Sequence, residues 1–322
     1  MTFQTHVVAP VREHMGRPVR LPATGTWSLE RDRGASVLRL ELPADSLARN
    51  LQTNHAAAPF FLLCFAYWYS RITGVEPHLR LDVTGAAPVA AGPLRHHRRA
   101  WIALEALEAA LGDRLSVTGA PLARWPDSPV INAPLVDRAS ADGSGGGPEH
   151  RVEVALTADP AHAAAFSTLH APIAGFRRQL PLGLFEGSVA RSNHFTPGQG
   201  AQADLWATSP DGDVFHLFEL KVAGNTLVGV LPELLTYAWL LHRARVGLPD
   251  GTPIAGGGPG VEAARAAERI ACWIVAPALH PLVEHDAHGP LEWLNAGLAP
   301  ELSFGVAPFV EGGATGFLRW TT

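Results

Sequence analysis

Apolar positions in this chain recur in two rhythms, and each predicts a type of element. Residues 36–42 alternate, with Val37, Leu38, Leu40 and Leu42 apolar, which predicts a strand, and 79–83 predict a second, shorter one. Residues 59–72 are apolar almost all round and dense in Phe, Leu, Tyr and Trp, so they predict a helix buried on most sides. Over 100–111, Trp101, Leu104, Leu107 and Leu111 fall at helical spacing. His96-His97-Arg98-Arg99 stands at the entrance of that helix, either as a phosphate contact or as a solvated helix end. Residues 139–148, rich in Gly and Ser, read as a linker. Beyond it, 151–156 alternate and predict a strand, and Ala-rich 160–169 predict a helix. A helix is expected over about 231–246 with Pro232 in its first turn, then strand 269–276, helix 288–298 and strand 302–310. Residues 1–35 are punctuated by Pro, Arg and Gly and predict no element. The sum is a mixed α/β (α+β) protein in two parts, an N-terminal α/β module over 1–140 and a second domain over 151–322.

Two apolar runs, 203–208 and 214–221, flank Ser209-Pro210-Asp211-Gly212-Asp213, a hairpin signal. With Asp211 and Gly212 at the centre of the turn, residue 208 faces 215 and Asp204 faces Glu219, with Cβ atoms ~5 Å apart. Glu219 and Lys221 then project from one face of the strand, and Phe218 and Leu220 from the other. Two like charges held opposite each other destabilise a sheet. A divalent cation removes that penalty, and hard oxygen ligands suit Mg²⁺ or Mn²⁺. A lysine beside such an ion can orient an attacking water or offset charge on a phosphate. The pattern is one for metal-assisted phosphodiester hydrolysis. The plainer alternative is a solvated lysine at a strand end, paired with Glu219.

Composition sharpens this at one point. Of the 25 lysine-plus-arginine residues, Lys221 is the only lysine. Arginine is a rigid fork that stays protonated, so it cannot replace a compact amine beside a metal. The formal charge of −5 argues against a surface coated in cations. A nucleic acid would need a local arginine groove, with a basic protein partner or a homodimer groove to reinforce it. Cys64 and Cys272 lie far apart inside apolar runs and read as buried thiols of a reducing cytosol. Residues 1–20 carry no secretory signal, and the longest apolar run, 56–69, is too short for a bilayer, so no membrane contact and a cytoplasmic location are expected. The Gly-rich stretch 256–260 lacks a Lys-Ser/Thr after it and is not a phosphate cradle.

Asp204 followed by Glu219-Leu220-Lys221 resembles the motif of the PD-(D/E)xK (restriction-endonuclease-like) nuclease superfamily. Glu233 and Tyr237 on the next helix are similar to the Gln-x-x-x-Tyr motif of its exonuclease-like branches, with Glu in place of the usual Gln. Residues 178–185, Phe195-Thr196, 203–205, 218–221 and 232–237 look like an uncharacterised bacterial group with this core. Residues 276–281 and, more weakly, 54–68 share that likeness, which is specific over about 176–240. The resemblance implies a mixed central sheet flanked by helices and a Mg²⁺-dependent (or Mn²⁺-dependent) nuclease acting on DNA. A catalytically inactive nucleic-acid-binding scaffold and an RNA nuclease are the alternatives. It implies that Asp204, Glu219 and the Leu220 carbonyl bind the metal and that Lys221 serves the attacking water. Glu186 is the candidate for a further acid, with a surface glutamate as the other reading. Glu233, Tyr237 and Gln202 would support the site, and Arg177, Arg178 and Arg191 would line the phosphate path. His194 and Gln199 lie near Asp204 in the sequence without a defined role.

Overall fold

A computed structural model describes residues 2–32, 34–119, 124–132, 147–197, 201–222, 227–312 and 317–321. The chain forms two compact units, and neither is a single stretch of sequence. The first takes Met1–Arg124, Leu227–Thr236 and Leu279–Leu298, and the second takes Trp125–Thr226, Tyr237–Ala278 and Ala299–Thr322. The first boundary thus falls at 124/125, ahead of the linker expected at 139–148, and two later segments return to the first unit. Residues 139–146 of that linker lie outside the described residues, while Gly147 caps a helix that begins at Pro148.

In the first unit, strands β1 (Thr26–Asp32), β2 (Ala35–Pro43), β3 (His78–Thr84) and β4 (Leu115–Thr118) form one sheet in that order. The first pair is antiparallel and the other two are parallel. Parallel neighbours need crossovers, and helices Ala58–Thr73 and Ala91–Leu111 supply them. The first is buried from Ala58 to Trp68, as its all-round apolar pattern requires. Leu38, Leu40, Leu42, Leu79 and Leu81 fill the inner face of the sheet. The second helix starts nine residues earlier than its apolar repeat suggests, so the basic quartet lies inside it. His97 and Arg99 are buried, and His97 accepts a hydrogen bond from Trp101 Nε1 at 3.2 Å. Two of the four cations expected at a solvated helix entrance are therefore core residues. Strand β1 escaped the sequence pattern because only its middle is shielded, and Glu30, Arg31 and Asp32 are polar on both faces.

The second unit is built on a six-stranded mixed sheet. Its strands are β6 (Arg177–Pro181), β8 (Gln202–Thr208), β9 (Val214–Leu220), β11 (Arg269–Ala276), β12 (Leu302–Gly312) and β13 (Phe317–Trp320). They lie side by side in chain order. Strands β9, β11 and β12 run parallel, and the remaining neighbours are antiparallel. A smaller sheet, in the order β10-β5-β7, joins β5 (Pro129–Ile131), β7 (Leu184–Glu186) and β10 (Ala255–Gly256). One face of the large sheet carries Leu205, Ala207, Phe218, Leu220, Val275 and Phe309, packed on Val152, Leu156 and Phe166 of helices Pro148–Ala158 and Pro160–Leu169. The other face meets helix Pro259–Ala266, where a Cβ on Gly260 would sit 3.2 Å from the Trp206 ring. Residues 151–156 are helical, contrary to the strand their alternation predicts. Val152 and Leu156 are four apart and both buried, with Pro148 in the first turn, so the helical period prevails. Among the described residues no helix is long and apolar enough to cross a membrane.

Candidate metal and phosphodiester site

Strands β8 and β9 form a hairpin that runs from the interior of the large sheet to the strand next to its β6 edge. Their register pairs Thr208 with Phe215 through to Leu205 with Phe218, and Asp204 and Glu219 are the next residues on the two strands beyond that last pair. The turn reaches that register by another route than the expected two-residue turn. The Gly212 amide donates to Ser209 O at 3.0 Å, which makes Pro210 and Asp211 the central residues, and Gly212 follows at φ +87°. The Ser209 amide then donates to Val214 O at 2.8 Å, closing a four-residue loop. Pro210 supplies the fixed φ and Gly212 the left-handed position that this loop requires.

Side chains alternate along both strands, so Phe218 and Leu220 enter the helix-covered core while Asp204 and Glu219 share the opposite face. The Leu220 amide donates to Asp204 Oδ2 at 2.7 Å, which ties the carboxylate to the partner strand. The Lys221 amide continues the parallel ladder onto Val275 O at 2.8 Å. Lys221 Nζ turns back and donates to Glu219 Oε1 at 2.6 Å and to the Leu220 carbonyl at 3.0 Å. Lys221 is 4% exposed and Glu219 3%, so this is a buried ion pair and not a solvated strand end.

The donor set suits a hard divalent cation: two carboxylates and a main-chain carbonyl on adjacent strands. One cationic group, the Lys221 ammonium, already touches two of these three donors, so the Glu219 carboxylate and the Leu220 carbonyl converge on a common point. Among the described residues no three Asp, Glu, His or Cys side chains come together as a metal-binding group. The site therefore rests on the Asp204 and Glu219 side chains and the Leu220 carbonyl. Glu186 is not brought to it. Glu186 ends β7 in the smaller sheet, is exposed, and accepts the amides of Asp127 and Ser128 at 3.0 and 2.9 Å.

The remaining candidates divide. Arg177 lies over the Trp206 ring at 4.8 Å, and Trp206 stacks on Phe215 at 5.7 Å, so this exposed guanidinium is held beside the strand that bears Asp204. Arg178 turns to helix Pro148–Ala158, where its guanidinium meets His150 Nδ1 at 2.9 Å and Glu153 Oε2 at 3.4 Å. Arg191 is exposed in the short 3-10 turn Arg191–Asn193. Gln202 opens β8 opposite Pro181. His194 packs edge-on against Phe185, and Gln199 lies outside the described residues. Glu233 belongs to the first unit, where it accepts from Gln52 Nε2 at 2.7 Å and pairs with Arg99 at 3.5 Å, both arginine and glutamate being buried. Tyr237, four residues on in helix Val230–Val246 and part of the second unit, is 1% exposed.

A cluster that the sequence pattern did not suggest lies beside β6. Glu153 is buried, and its carboxyl is pushed above the usual range by desolvation, against the opposing pull of Arg178 and His150 and hydrogen bonds from Arg178 and Gln179. Reading 151–156 as a strand hid it; Pro148 and the Val152–Leu156 spacing were the available signals. Cys64 and Cys272 are fully buried, and burial pushes both thiols well up, which makes them unreactive.

No protein-family model, curated protein or solved structure matches this chain.

Proposed function

We propose that this protein is a metal-dependent phosphodiesterase with a restriction-endonuclease-like core, acting on DNA. The observation that carries this reading is the hairpin constellation. Asp204 and Glu219 stand one residue beyond the last ladder pair of the hairpin, the Leu220 carbonyl converges with Glu219 on the Lys221 ammonium, and that lysine is the only one of the chain. A mixed sheet with helices on both faces and the β8–β9 hairpin within it fits the same reading.

In this account Asp204, Glu219 and the Leu220 carbonyl would hold Mg²⁺ or Mn²⁺. The ion supplies Lewis acidity toward a phosphate oxygen and a water. Lys221 orients the attacking water and places positive charge near the developing phosphorane. Arg177, braced on Trp206, meets the nucleic-acid backbone. With a formal charge of −5, a basic partner or a second copy of the chain would complete the groove, and a cytoplasmic location accords with the two free thiols.

One observation favours a second reading, a catalytically idle nucleic-acid-binding scaffold: the Lys221 ammonium is engaged by Glu219 and the Leu220 carbonyl in a buried pair. Cleavage of plasmid, single-stranded DNA and RNA with Mg²⁺ or Mn²⁺ separates the readings, comparing wild type with Asp204→Ala and Lys221→Ala. Metal-dependent cleavage by wild type alone supports the nuclease. Inert wild type whose DNA binding survives Asp204→Ala supports the scaffold, and a preference for RNA moves the substrate to the 2′-hydroxyl polymer.

A further inference from the structure

Gln179 holds φ +51° in the middle of β6, a left-handed conformation that glutamine rarely adopts. Its position is specific. The pairings Arg178 with Leu205 and Leu180 with Ala203 bracket it, so Gln179 is the β6 residue opposite Asp204. Backbone strain of this kind persists where the surrounding structure enforces it, and such positions concentrate at functional sites.

The kink changes where the side chains go. In a regular strand, neighbours point to opposite faces. Arg178 hydrogen-bonds Glu153 of the covering helix, and its neighbour Gln179 acts on that same carboxyl, helping to draw it down against desolvation. Leu180 swings the other way: a Cβ on Gly260 would lie 2.5 Å from Leu180 Cδ1 and 3.2 Å from the Trp206 ring, so Leu180 joins the face of Trp206. A regular β6 would instead stand the Gln179 side chain beside Asp204, with Cβ atoms about 5 Å apart. Its amide would then donate to the carboxylate and compete with a cation.

We infer that the left-handed backbone at Gln179 is a positioning device for Asp204, keeping the edge-strand side chain off the carboxylate so that a divalent cation can use it. The inference rests on the cation-site reading above. It assigns the role to the backbone conformation and not to the amide group.

A substitution series with Mn²⁺ titration calorimetry and melting curves tests it. Gln179→Gly and Gln179→Asn accept positive φ and should keep wild-type Mn²⁺ affinity. Gln179→Val, whose branched side chain rejects that region, should weaken Mn²⁺ binding by about 10- to 100-fold, the usual effect of losing a residue that orients a ligand. Circular dichroism checks that the valine variant folds; should it not, Gln179→Ala takes its place with a smaller loss expected. Equal loss in Gly and Val would assign the role to the amide and overturn the inference. Unchanged affinity in a folded valine or alanine variant, with only the melting temperature altered, would overturn it as well. Wild type that binds no Mn²⁺ contradicts the cation site itself, an outcome distinct from either.

Discussion

Lys221 Nζ lies 2.6 Å from Glu219 Oε1, and both side chains are about 95% shielded from solvent. Desolvation offsets much of the attraction in such a pair, but removing one partner takes the countercharge away from a buried charge. Lys221→Met should therefore destabilise the protein by about 3–5 kcal/mol in urea titration. The double variant Lys221→Met with Glu219→Gln should recover a substantial part of that loss, because the buried charge goes with the ammonium. A single-variant loss under about 1 kcal/mol, the range of exposed pairs, would contradict the buried geometry.

The first unit holds a second buried pair, Arg99 with Glu233, with Gln52 completing the carboxylate's contacts. Arg99→Met should cost several kcal/mol, about as much as breaking any buried pair. Glu233→Gln keeps the shape and the Gln52 contact but removes the negative charge beside the buried Arg99 guanidinium, so it too should lower the denaturation midpoint.

Helix Leu291–Leu298 approaches helix Ala91–Leu111 at Gly297, where an added Cβ would fall 1.7 Å from the Ala110 carbonyl oxygen. Neither backbone can yield as a flexible side chain would. Gly297→Ala should destabilise by about 1–3 kcal/mol or more through overpacking, read as a lower melting temperature. Gly92→Ala, where nothing lies within 4 Å, is the matched control and should be neutral or slightly stabilising.

Stability should rise with pH between about 4 and 6.5. Burial, reinforced by Arg269, lowers His216 to about 4, and burial with Arg245 and Arg243 does the same for His242. Across that window the unfolded chain binds protons that the folded one refuses, so stability grows as pH rises and is complete above 6.5. His97, His170 and His280 are shifted in the same direction by burial, while the raised carboxyls of Glu153 and Glu284 work in the opposite sense. Melting curves from pH 4 to 7 should show the rise, and His216→Asn, which still offers Trp273 Nε1 an acceptor, should flatten it.

Local pattern carried the hairpin. The alternation of 203–208 and 214–220, with a turn between, gave the register seen from Leu205 with Phe218 to Thr208 with Phe215, even though Pro210 and Asp211, not Asp211 and Gly212, form the turn's centre. What escaped depends on contacts distant in sequence. Val152, Val154 and Leu156 alternate, but Val152 and Leu156 also sit a helical turn apart, and only packing against Phe166 and the sheet decides between the two periods. Glu186 is the positional candidate that the resemblance implies, yet the short strand it ends pairs with β5 and its carboxylate serves the 127–128 amides. The return of Leu227–Thr236 and Leu279–Leu298 to the first unit has no local signature. Nor does the kink at Gln179, since glutamine does not announce a positive φ.

The proposed function rests on Asp204, Glu219 and the Leu220 carbonyl holding one divalent cation. Mn²⁺ binding followed by electron paramagnetic resonance, on wild type, Asp204→Asn and Glu219→Gln, tests it most directly. Folded wild type should bind Mn²⁺, and each carboxylate variant, still folded, should lose most of that binding. Wild type that binds none, or variants that bind as tightly as wild type, would contradict it.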